Sequence, residues 1–94
     1  EKEREIIRQR VPALDPSLRE SITRTMQALR EIDFYKRPGI AESLDWSRAL
    51  LGLGVQTLSA EVLLETAGVV LKYHDDIERL RALDLAALIA GPGA

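Results

Sequence analysis

The stretch Lys36–Gly54, KRPGIAESLDWSRALLGLG, decides how this chain is read. Pro38-Gly39 breaks any preceding helix, because proline lacks the N–H donor and glycine frees the backbone. The spacing beyond it predicts a helix from Ile40 or Ala41 to about Leu53. Ile40, Leu44 and Leu51 share one face, and Trp46, Leu50 and Leu53 form a second apolar strip. A helix apolar on two sides is expected at the centre of its domain. Glu42 and Asp45 lie in the first two turns, where the helix dipole favours negative charge. Gly52 and Gly54 supply the stop.

Working outward, Asp15-Pro16 is a helix start, with Asp as N-cap and Pro at the first helical position. Leu18, Ile22, Met26 and Leu29 follow at helical spacing to about Glu31, with Arg19, Arg24 and Arg30 off that stripe. Residues 1–10 read as the end of a helix with Ile6 and Ile7 on its apolar side, interrupted at Val11-Pro12. Residues 32–39 form a loop with apolar anchors. Downstream, Ser59 caps a helix over residues 60–67, and Gly68 predicts a break or kink. Asp75 or Asp76 opens a last helix through Ile77, Leu80 and Leu83, reaching as far as Leu88. No strand alternation is present. The pattern predicts an all-α bundle of four to five helices in one domain, residues 1–90, with a disordered tail at 91–94. Its predicted core is Leu18, Ile22, Met26, Leu29, Leu44, Trp46, Leu50 and Leu51.

The 94 residues suffice for one small domain. A composition 46% hydrophobic and 30% charged is that of a folded chain. The net charge of −2 argues against a nucleic-acid partner. The absence of cysteine rules out disulfides and thiolate metal sites and suits a cytoplasmic home. No apolar run nears the ~20 residues that span a bilayer, so no membrane partner is expected. Glu1-Lys2-Glu3-Arg4 reads as mid-helix, as in a fragment of a longer protein.

Few residues invite chemistry. The single histidine, His74, stands beside Asp75 and Asp76 without the three or four ligands a zinc site needs, so no metal is expected. Ser59 is accounted for as a cap, and no pair demands a nucleophile–base role. Gly52-x-Gly54 ends a helix, whereas a phosphate-cradling loop precedes one. Phe34, Tyr35, Trp46 and Tyr73 are too scattered in sequence for base stacking, and Trp46 reads as core with its indole N–H reaching a partner. Lys36-Arg37 is different. Two cations precede a turn and a helix N-terminus whose free N–H groups attract anions. The competing reading is a solvated charge pair beside a turn.

The segment KRPGIAESLDW at 36–46, followed by Arg48-Ala49-Leu50, resembles the C-terminal lid of MoxR-type AAA+ ATPases, in the branch associated with carbon-monoxide dehydrogenase maturation. EREIIRQRVP at 3–12 resembles the helix leaving the nucleotide-binding domain, and LKYHDDIE at 71–78 the end of the lid. The resemblance implies a helical lid that closes over ATP and Mg held by a separate nucleotide-binding domain. It implies ring assembly with neighbouring subunits, chaperone-like or metal-centre maturation, and a partner carrying a von Willebrand A domain. The whole protein is then an ATP hydrolase, while residues 1–94 alone carry no catalytic group. Related lids place a second-sensor arginine in the first turn of the helix equivalent to 41–53. Here that turn holds Ala41, Glu42 and Ser43. By resemblance, Lys36, Arg37, Gly39, Glu42 and Ser43 lie near the nucleotide, with Arg37 replacing the sensor from the loop, and Asp45 and Arg48 meet the neighbouring domain or subunit. A stand-alone helical protein–protein interaction module is the alternative. A helix-turn-helix DNA binder is disfavoured by the acidic balance and the lack of a basic recognition helix.

Overall fold

Asp15 starts the longest helix as its sequence predicts: its carboxylate accepts the Ser17 N–H at 2.8 Å, and Pro16 occupies the first turn. In the computed structural model, which describes residues 2–91, that helix is α2, Pro16–Leu29. It follows α1, Lys2–Arg10, and precedes α3, Ile40–Gly52. Four short helices complete the described chain: α4, Ala60–Glu65; α5, Ala67–Val70; α6, His74–Arg81; and α7, Leu85–Ala90. Every regular element among the described residues is a helix.

The predicted four or five helices become seven because two runs split. The break expected at Gly68 falls at Thr66, two residues earlier, and Gly68 lies within α5. Thr66 leaves helical geometry there, and its hydroxyl is bonded on both sides. It donates to the Val62 carbonyl at 2.7 Å and accepts the Trp46 indole N–H at 2.8 Å. The last predicted helix splits at 82–84, where Asp84 caps α7 by accepting the Ala87 N–H at 3.2 Å. At the far end Gly91, assigned to the tail by its sequence, closes α7 with φ 85° and donates to Ala87. The rest of the expected tail, residues 92–94, lies outside the described residues, as does residue 1.

The end of α3 is a Schellman motif. Val55 N–H reaches the Leu50 carbonyl at 3.0 Å, Gly54 N–H reaches Leu51 at 3.1 Å, and Gly54 takes φ 73°. Within α3 the buried stripe is Ser43, Trp46, Ser47 and Leu50, not two apolar strips. Leu51, predicted as core, is 40% exposed, and Leu53 is 67% exposed. Leu51 lies about 100° around the helix from Leu50 and so off the stripe. The serines at the stripe's centre hid it from an apolar-spacing reading. Leu44 is half-buried against the core.

α1, α2 and α3 pack on one another; α2 also runs along α7, α3 along α5, and α4 bridges α5 and α7. Ile7, Leu18, Ile22, Met26, Leu29, Trp46, Leu50, Leu63 and Leu80 meet in one core. The radius of gyration, 12.2 Å, matches the roughly 12 Å of a single compact domain this long. Among the described residues no helix is long and apolar enough to cross a membrane.

Candidate functional site

The turn before α3 is tethered at every position from Tyr35 to Gly39. Asp76, buried at the start of α6, accepts the Tyr35 N–H at 2.7 Å and the Lys36 N–H at 3.0 Å, one on each carboxylate oxygen. Arg37 folds back, its Nε donating to the Ile32 carbonyl at 3.1 Å. Arg30 Nε donates to the Pro38 carbonyl at 2.8 Å. Glu42 accepts the Gly39 N–H at 2.7 Å. Arg30 at the end of α2 and Asp76 of α6, 40 residues beyond Lys36, thus hold a turn that glycine would otherwise leave loose. A turn fixed this way loses little entropy when its side chains engage a partner.

Beneath the turn lies a buried polar cluster. Arg30 donates to both oxygens of Glu3, at 2.7 and 2.8 Å, and to Ser43 Oγ at 3.1 Å. Ser43 in turn donates to Glu3. Glu3 is 6% exposed and Ser43 fully buried. Burial pushes the Glu3 carboxyl up, but hydrogen bonds from Arg30 and Ser43 outweigh it and hold the group below its ordinary value. The bidentate geometry is the strong form of such a pair. This cluster joins α1, the end of α2 and the first turn of α3 in one unit.

At the α3 N-terminus the bond from Gly39 holds the Glu42 carboxyl below its usual range; burial opposes this, and the nearby Lys72 and Lys36 charges reinforce it. Lys72 Nζ lies 3.8 Å from Glu42. Glu42 therefore sets a negative charge at this helix start, which opposes an anion there, and the cationic side chains beside it are what draws one. Lys36 is exposed and has no ion-pair partner among the described residues. Arg37 is exposed, with its terminal nitrogen 3.9 Å from Asp33. Beside them Tyr35 and Tyr73, separate in sequence, meet edge to face with centroids 4.9 Å apart, and both are exposed.

The residues singled out in the sequence therefore divide. Lys36, Arg37, Gly39 and Glu42 cluster at one end of α3. Ser43 turns inward and is a packing residue. Asp45 and Arg48 pair with each other at 3.8 Å on the exposed side of α3. His74 is exposed, 3.9 Å from Glu78, and among the described residues no three His, Asp or Glu side chains converge to hold a metal. Sequence spacing missed Glu3, Arg30, Lys72 and Asp76, because each reaches the site from another part of the chain: Glu3 from α1, Arg30 from the end of α2, Lys72 from the segment before α6, and Asp76 from α6. In the sequence Asp76 reads only as an acid at a helix start; its burial belongs to the fold.

Compared with known proteins, the chain matches no family model, no curated protein and no solved structure.

Proposed function

We propose that this chain is the helical lid of a MoxR-type AAA+ ATPase. In this reading it closes over ATP and Mg bound by a nucleotide-binding domain on the same polypeptide, and takes part in ring assembly and in chaperone-like or metal-centre maturation work. The observation that carries the proposal is the tethered Lys36–Gly39 turn. It holds two exposed cations at the start of α3, the helix that related lids turn toward the nucleotide. The all-helical fold is compatible with a lid. Glu42 at the helix start departs from the second-sensor pattern, so the charge contact with the phosphates falls to side chains beside it. Lys36 is the unpaired cation there, Arg37 is partly engaged, and Lys72 joins them from the other side of Glu42.

The test is ATP hydrolysis by the whole polypeptide, with Lys36→Ala and Arg37→Ala made singly and together. Hydrolysis should slow by roughly tenfold or more in the double variant, the usual cost of removing one or two positioned charges. An unchanged rate and an unchanged affinity for ATP would remove both residues from the site. Residues 1–94 alone should show no ATP binding by calorimetry.

A further inference from the structure

A groove of about 540 Å³ opens between the C-terminal end of α2 and α7. Ile32, Leu83 and Leu88 form its apolar walls. Ala28 and Ala87 keep it open, since a methyl group at each leaves room for an incoming side chain. Its polar side chains are two carboxylates, both exposed: Glu31 at the end of α2 and Asp84 at the start of α7. No cation lines it. Glu31 has no ion pair among the described residues, and Asp84 uses one oxygen to cap α7.

A small ligand is held by polar groups converging inside its pocket. Here the charges stand at the edges and the interior is apolar. That arrangement complements an apolar stripe flanked by positive charge, which a basic amphipathic helix presents through side chains at i, i+3 or i+4, and i+7. We propose that this groove docks a basic amphipathic helix of a partner protein. Its leucine-type side chains seat against Ile32, Leu83 and Leu88, and its Lys or Arg residues face Glu31 and Asp84. The inference does not rest on the nucleotide reading, because no residue of the groove belongs to 36–48.

The probe is a labelled helical peptide of about 18 residues, long enough to hold a helix once docked. It carries leucines at i, i+4 and i+7 with lysines on both flanks, and a control carries glutamate in place of each lysine. Fluorescence anisotropy should show the basic peptide binding, more weakly as salt rises, and the acidic one not binding. Glu31→Gln with Asp84→Asn should weaken binding about two- to tenfold, since Asn preserves the cap while removing the charge. Ala87→Phe should fill the groove and abolish binding, with an unchanged unfolding midpoint showing that the fold survives. Equal binding of the two peptides, or indifference to the paired substitution, overturns the proposal. Two other occupants also overturn it. Binding by residues 1–94 but not by the longer polypeptide would mean that another part of that polypeptide fills the groove. A dimer in sedimentation that Ala87→Phe dissolves would mean that a second copy does.

Discussion

Arg30→Met removes the guanidinium at the centre of the buried cluster while keeping a long side chain in place. Glu3, 6% exposed, then loses both bonds of a bidentate pair, Ser43 loses a donor, and the Pro38 carbonyl loses its partner. Breaking a buried pair by removing one member costs about 3–5 kcal/mol. Arg30 is 26% exposed, so water partly replaces it and the expected loss falls to about 2–4 kcal/mol. Urea unfolding followed by tryptophan emission measures this as a lower midpoint at constant slope. Trp46 is the chain's only tryptophan and is fully buried, so its emission reports the transition. Glu3→Gln with Arg30→Met should cost less than the sum of the single changes, because the first change discharges the group that the second leaves unpaired. The pH dependence follows from the same contacts. The Glu3 carboxyl sits below its ordinary 4.5 in the folded chain, so its stabilisation is fully present above about that pH. It is lost as pH falls through the lower folded value, and Arg30→Met should flatten that part of the profile. A loss under about 1 kcal/mol, together with strictly additive single changes, would refute the idea that the cluster joins α1 to α3.

Three further outcomes follow from particular contacts. Trp46→Phe should cost about 1–3 kcal/mol in thermal or urea unfolding followed by circular dichroism, because packing volume and the indole bond to Thr66 are lost while Thr66 keeps its bond to Val62. Gly54→Ala should cost about 1–2 kcal/mol from backbone conformation alone, since φ is 73° and the added methyl meets no atom within 4 Å; a neutral result would mean the helix end adopts another cap. Asp76→Ala should raise amide hydrogen exchange at Tyr35 and Lys36 well above that at Leu63, and unchanged protection would mean that the turn is held without α6.

The all-helical fold and its main boundaries are legible in the sequence because they follow from local signals: Asp15-Pro16 at one start, Ser59 at another, and Gly54 at a stop. The split helices were less legible, since Thr66 breaks its run through a bond to Trp46, twenty residues away. The centre of α3 was misplaced for a related reason. Ser43 and Ser47 are polar and so fall outside any apolar-spacing pattern, yet both are buried: Ser43 is satisfied by Glu3 and Arg30, and Ser47 by the Ser43 carbonyl. The candidate site shows the same division. Lys36, Arg37, Gly39 and Glu42 are neighbours in sequence and in space, whereas Asp76 and Lys72 arrive only when the chain closes. Arg30 looked like a surface cation because its partner stands 27 residues away.

Steady-state ATP hydrolysis by the polypeptide that carries residues 1–94 tests the lid assignment most directly. The assignment requires a G-x-x-x-x-G-K-[ST] loop in that polypeptide. Measurable hydrolysis that falls by roughly tenfold or more when residues 1–94 are deleted is the expected result, since a lid completes the site around bound ATP. Hydrolysis that is absent, or that proceeds unchanged without these residues, would contradict it.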